Sequence, residues 1–231
     1  MHRRTFSLGC LAVALALQHR LAQALSLDEL SSAQASQGLR TALERGARAA
    51  VSELGRTGGF MGNDQVRIPL PGYLQDASRL LRALGQGERL DALVAAMNQA
   101  AEAAVALAKD MLVGAVKSMN IQDAKAILTG GETAVTQFFV DRTRQPLGEK
   151  FLPIVNRTTA RVQLAQQYNQ LANKASGLGL IKGDAVSIER YVTAKALDGL
   201  YFMIGEEEKK IRRDPVGTGS ALLKKVFGVL Q

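Results

Sequence analysis

Apolar residues recur at steps of three and four along most of this chain, the spacing of one face of an α-helix. Leu39, Ala42, Leu43, Ala47, Ala50, Val51 and Leu54 make one such stripe, and Gly55 follows as a stop. The stretch from Gly55 to Gly72 breaks the pattern with Gly58-Gly59, Gly62-Asn63-Asp64 and the run Val66-Arg67-Ile68-Pro69-Leu70-Pro71. A proline biases the residue before it away from helix, so Ile68 and Leu70 are expected to be extended. A second helix is predicted from about Tyr73 to Leu84, closed by Gly85-Gln86-Gly87.

The clearest period belongs to a third helix, about Glu88 to Met119, whose stripe runs from Leu90, Leu93 and Met97 to Leu112, Val116 and Met119. Its many alanines allow neighbouring helices to approach closely. Shorter helices are predicted from near Gln122 to Gly130-Gly131 and from about Glu132 to Thr143. Pro146 and Pro153 then punctuate the chain before a helix from about Arg157 to Lys174 and a loop at Gly177-Leu178-Gly179-Leu180. The last long helix, capped by Ser187, runs to about Arg213. Its apolar residues, Tyr191, Val192, Leu197, Leu200, Tyr201, Phe202, Met203 and Ile204, fall all around the axis, which predicts a buried central helix. No useful run alternates with period two, and no internal repeat is visible. The expectation is an all-α fold, a single irregular multi-helix domain with its buried apolar helix near residues 188–213.

The first 24 residues read differently. Arg3 and Arg4 form a positive start, Leu8 to Leu17 an uncharged apolar run, and Ala22-Gln23-Ala24 a small-x-small cleavage pattern. The apolar run is too short to span a bilayer, which needs about 20 residues. A signal peptide over 1–24 and a domain over 25–231 are therefore expected, placing the protein in the periplasm of a Gram-negative cell. Arg3-Arg4-Thr5-Phe6 resembles the twin-arginine motif of proteins exported folded. Cys10 lies at the start of the apolar run, where a lipid-attachment cysteine would follow it, so no lipoprotein is expected.

Composition sharpens once the leader is removed. The whole chain of 231 residues has 29 basic and 21 acidic residues, one cysteine, two histidines and no tryptophan. Cys10, His2, His19, Arg3, Arg4 and Arg20 all precede Leu25, leaving 26 basic against 21 acidic residues, a net of +5. A mature chain without Cys or His has no disulfide, no thiolate nucleophile, no Ser-His-Asp arrangement and none of the usual zinc ligands beyond carboxylates. Paired carboxylates, a lysine of depressed pKa or a tyrosine remain as routes to catalysis. No cofactor and no metal site are expected. Nucleic acid is not an expected partner, because basic and acidic residues interleave along the sequence.

Several runs resemble those of one family. Val66-Arg67-Ile68-Pro69-Leu70-Pro71, Met97-Asn98-Gln99-Ala100-Ala101-Glu102, Asp123 to Gly131, Ala196-Leu197-Asp198-Gly199-Leu200 and the ending Gly219 to Gly228 resemble the exported bacterial family called domain of unknown function 4197. The likeness extends over essentially the whole mature chain. It implies a helical, signal-bearing protein of Gram-negative bacteria and brings no catalytic residues with it.

Five residues stand out as a candidate polar site: Arg67, Asn98, Glu102, Lys195 and Asp198. Asn98 and Glu102 lie one turn apart at the edge of the third helix's stripe, with Lys109 further along the same row, or an arginine from another helix, as the expected partner of Glu102. Asp198 is the only acid between Tyr191 and Ile204 in the most apolar helix, and a buried carboxylate needs a partner, for which Lys195 and Arg67 are candidates. In Glu206 to Arg213, the register pairs Glu206 with Lys210 and Glu208 with Arg212, and turns Glu207 toward the core. Gly217-Thr218-Gly219-Ser220 reads as a helix cap, and Leu222, Leu223, Val226, Phe227 and Leu230 as an amphipathic tail for the core, a peripheral membrane surface or a partner.

The leading functional expectation is a non-enzymatic protein that binds a lipid-like or other apolar or amphipathic ligand, or an envelope protein partner, between helices. No transmembrane helix is expected in the mature chain. The alternatives are a carboxylate-based hydrolase of an envelope glycan using Glu102 and Asp198, and a structural or adaptor protein of the cell envelope.

Overall fold

The computed structural model describes residues 32–177 and 187–214. The leader, most of the Gly177–Leu180 loop, the Gly217–Ser220 turn and the amphipathic tail lie outside the described residues. Among those described there are eight helices and no strand: α1 (Ser32–Leu54), α2 (Gly72–Ala83), α3 (Gly87–Val105), α4 (Lys109–Lys117), α5 (Ile121–Thr129), α6 (Ala134–Thr159), α7 (Gln163–Gly177) and α8 (Ile188–Arg213). The most extensive pairing is α6 on α8, then α3 on α6, with α1 and α3 also packed on α8. Helix α2 hangs from α3, α4 and α5 lie against α1 and α6, and α7 leans on α3 and α8.

The stripe predicted for α1 is the buried one, from Leu39 to Leu54. Helix α8 begins and ends where the sequence placed it, with Ser187 accepting from the Arg190 N–H at 3.2 Å. It is not buried all round, however. Lys195, Asp198, Phe202 and Lys210 form an exposed stripe at helical spacing, while Val192, Ala196, Leu200, Met203 and Ile204 are in the core. The excess of apolar residues thus serves several packed neighbours on three sides and leaves Phe202 39% exposed.

Two boundaries differ from the sequence expectation. The single helix from Glu88 to Met119 is interrupted at Ala106–Ala108, where Leu107 and Ala108 bond back to the carbonyls of Ala104 and Val105, a tighter turn than α. The stripe continues through the break, so the periodicity did not reveal it. The segment Gly87–Lys117 is long and apolar enough to cross a membrane, but 61% of its most apolar window is buried inside the protein.

Helix α6, conversely, runs straight through Pro146 and Pro153. Each proline removes a bond to the carbonyl four residues back. Those carbonyls belong to Arg142 and Glu149, both exposed, so water can serve them. Meanwhile Val135, Phe139, Thr143, Leu147, Phe151, Val155 and Thr159 are buried at every fourth position. Steps of four advance about 40° beyond a full turn, so this ridge winds around the helix and touches different partners along its length.

Glycine marks one close approach in the core. On α8, a Cβ at Gly199 would stand 2.8 Å from the Phe60 ring and 3.3 Å from Val66, so the loop before α2 seats directly against this helix. Gly114 in α4, by contrast, faces open space. Gly199→Ala is therefore expected to destabilise by about 1–2 kcal/mol, overpacking against Phe60 outweighing the gain in helix propensity. Gly114→Ala should stabilise by about 0.5–1 kcal/mol. Thermal unfolding checks both, and Tm values moving in the same direction for the two variants would contradict this packing.

Candidate functional site

Residues 55–71 cross the end of α1 and the faces of α3 and α8 without regular secondary structure. They begin in a tight glycine turn. Gly58 has φ +75°, and a Cβ at Gly59 would stand 2.3 Å from the Leu54 carbonyl oxygen, which no side chain tolerates. Phe60, Val66, Ile68 and Leu70 from this segment are all buried, and turns within it serve the amides of Gly59, Gly62, Asn63, Val66 and Arg67, which leaves those of Gly58, Phe60, Met61 and Ile68 in need of other acceptors.

Glu102 and Asn98 supply those partners. The Glu102 carboxylate, 6% exposed, accepts from the amides of Gly58 at 3.1 Å, Phe60 at 3.1 Å and Met61 at 3.3 Å. One turn earlier, Asn98 accepts from the Ile68 N–H at 2.9 Å and donates to the Ile68 carbonyl at 3.0 Å and the Val94 carbonyl at 2.8 Å. Its carboxamide thus pairs with the extended backbone as a neighbouring strand would. On the other side, the Tyr191 hydroxyl donates to the Pro69 carbonyl at 3.1 Å. The i,i+4 spacing read from sequence is real, but the partner is the loop backbone and neither Lys109 nor an arginine.

The other three candidate residues go elsewhere. Arg67 is exposed on the outer side of the same segment. Asp198 is half exposed, not buried, and pairs with Arg144 at 2.7 Å and Lys195 at 3.9 Å on the solvent side of α8. Arg144 comes from α6 and also lies over the Tyr201 ring at 5.8 Å, a partner that spacing within α8 could not disclose. Glu102 is enclosed and engaged on both oxygens, whereas Asp198 is held outside by cations, so the two carboxyl groups do not share an open cleft. Burial pushes the Tyr201 hydroxyl up to about 12, where it shares a 2.8 Å hydrogen bond with Thr143, and raises Tyr191 as well. Both shifts move tyrosine away from acid–base work near neutral pH.

A further buried carboxylate sits on α8, and it is not the one the register suggested. Glu207 pairs with Lys210 and Glu206 with Lys209, both three residues on, while Glu208 is the enclosed member at 3% exposure. Glu208 accepts from the amides of Val135 at 3.2 Å and Thr136 at 3.1 Å and from the Thr136 hydroxyl, with Arg212 on the same oxygen as Val135. Thr133, at the start of α6, makes no side-chain cap bond, so a glutamate from another helix fills that role and sits at the positive end of the helix dipole.

Two kinds of recess surround these elements. The apolar hollow between α1, α6 and α8 measures only about 10 Å³, room for one water at most. A wider cleft of about 640 Å³ opens between the 55–71 segment, α2 and α3, lined by Met61, Asp64, Arg67, Leu70, Arg82 and Val94 among others. Arg82 on α2 bonds to Asp91 on α3 at 3.1 Å across its edge, and that bond holds the Asp91 carboxyl below the usual range. Among the described residues no three His, Cys, Asp or Glu side chains gather as a metal site.

Glu102→Ala strands three amides and is expected to cost about 3 kcal/mol or more in denaturant unfolding, with Glu102→Gln in between. Asp198→Asn removes a surface pair and should change stability by less than about 1 kcal/mol. An equal loss in both variants would contradict the assignment of Glu102 as the buried anchor.

No characterised protein and no solved structure matches this chain. A family model does, over residues 29–228, and it is described as a protein of unknown function, DUF4197. That span holds every helix described above, from α1 to α8, together with the loop anchored by Asn98 and Glu102. The chain belongs to the family of proteins of unknown function DUF4197.

Proposed function

We propose that the protein is exported to the periplasm of a Gram-negative cell and works there as a non-enzymatic binding protein. Its ligand is amphipathic, with an apolar body lying in the cleft beside α2 and an anionic group meeting Arg67. One observation carries this reading: the roomy recess lies between elements, beside a helix attached chiefly to α3, and sets Met61, Leu70 and Val94 beside Arg67, with Asp64 also in its lining and Arg82 paired to Asp91. The small size of the apolar hollow between α1, α6 and α8, about 10 Å³, favours this surface cleft over that one as the ligand's place. Engagement of both Glu102 oxygens by backbone amides argues against the hydrolase alternative, which needs two carboxyl groups facing one substrate. Exposed Leu80 and Leu84, 64% and 65%, one turn apart on α2, favour a second reading in which α2 meets an envelope protein and the cleft is part of an adaptor surface.

The test uses the exported, processed protein and a long-chain fatty acid as probe, followed by native mass spectrometry and titration. Saturable binding at one site is expected, weakened at least tenfold by Arg67→Glu, with Val94→Trp filling the cleft and abolishing it. Binding untouched by both substitutions, or no binding at all, would remove the ligand reading.

A further inference from the structure

Basic residues that interleave with acids along the sequence do not interleave in space. Arg40, Arg45, Arg48 and Lys117 line one open hollow on the outer face of α1 and α4, with Glu44 the only acid among the described residues that line it. Arg48, Arg56 and Lys109 line a second hollow that continues from it. The six cations follow about 20 Å of α1 and both ends of α4. Glu44 reaches Arg48 only at 3.7 Å, and both are exposed enough for solvent to screen the pair. Asp110 is exposed beside Lys109 but lines neither hollow.

An apolar group stands beside this strip. The break between α3 and α4 presents Leu107, 58% exposed, next to Ala106, which lines the second hollow. Among the described residues no aromatic side chain lines either hollow, so neither offers a stacking platform for nucleic-acid bases there. Cations spread along an open face, with one leucine projecting beside them, match the two demands of an anionic bilayer surface: charge for the headgroups and apolar area for the acyl boundary.

We infer that the α1/α4 face is a membrane-docking surface that seats the protein on anionic phospholipid, with Leu107 entering the headgroup layer. This site shares no residue with the cleft beside α2, so the two stand or fall separately. Docking leaves the cleft free and holds an amphiphile-binding protein at the surface from which such ligands come.

The experiment is co-sedimentation of the exported, processed protein with vesicles of phosphatidylglycerol and phosphatidylethanolamine in equal parts, beside vesicles of phosphatidylcholine alone. Binding to the anionic vesicles only is expected, and it should weaken as salt is raised. Each basic residue near such a surface contributes about fivefold, so the triple variant Arg48→Glu, Arg56→Glu, Lys109→Glu should lose binding by about a hundredfold or more. Lys150→Glu, Arg157→Glu, Arg190→Glu changes net charge equally, away from the strip, and should retain most of it. Leu107→Ser should weaken vesicle binding while leaving any binding to dextran sulfate unchanged. Circular dichroism confirms that each variant is folded. Equal losses from the two triple variants, failure to bind anionic vesicles, or a Leu107→Ser variant that binds as the parent does would overturn the inference.

Discussion

A glycine-rich segment with no secondary structure of its own crosses the middle of this helical fold, and two polar side chains on α3 hold it there. Residues 55–71 bring Phe60, Val66, Ile68 and Leu70 into the core and wall the cleft beside α2. Such a segment buries apolar side chains only if its amides find acceptors, since an orphaned buried amide costs about as much as the burial of a small side chain gains. Glu102 and Asn98 meet that requirement from one helical turn. With them, α3, the loop and α8 become one packed unit, Phe60 resting on the bare backbone of Gly199. Lacking them, the segment would lose its anchor on α3 and the cleft its wall.

The same device recurs at the starts of α6 and α8. Glu208 on α8 caps the start of α6, where the local sequence offers no capping bond. Asn169 on α7 accepts from the Ile188 amide at 2.9 Å and donates to Glu189, fixing the start of α8. In each case a side chain from one helix satisfies the orphan amides of another segment, which substitutes for the disulfides that a chain with no cysteine after Cys10 cannot form. These bonds specify which helix end meets which helix face, a job that an alanine-rich core of small, similar side chains does poorly alone.

Local information in the sequence was sufficient for helix class, for the stripe of α1, for the start of α8 and for the irregular 55–72 segment. It was insufficient wherever the deciding partner lies far along the chain. The α3–α4 break is silent because the apolar stripe continues through it. Pro146 and Pro153 read as boundaries because the sequence does not show that their freed carbonyls face water. Asp198 read as buried because its exposed stripe is set by which neighbours α8 has. Asn98 and Glu102 stood out for their place at the edge of an apolar stripe, but their partners are backbone groups, which carry no residue signature. The basic face was partly legible: Arg45 and Arg48 lie one turn apart on α1, while the placing of Arg56 after its end and of Lys109 and Lys117 from α4 needed the fold.

The central claim is that the loop backbone is fixed by side chains of α3, and native-state hydrogen exchange tests it residue by residue. The amides of Gly58, Phe60, Met61 and Ile68 sit in a segment without helix or strand, yet each donates to Glu102 or Asn98. The account predicts that these four exchange slowly, with protection approaching that of α3, and that Glu102→Gln accelerates the first three more than Ile68. Exchange at these amides as fast as at the exposed neighbours Thr57 and Asp64 would contradict it.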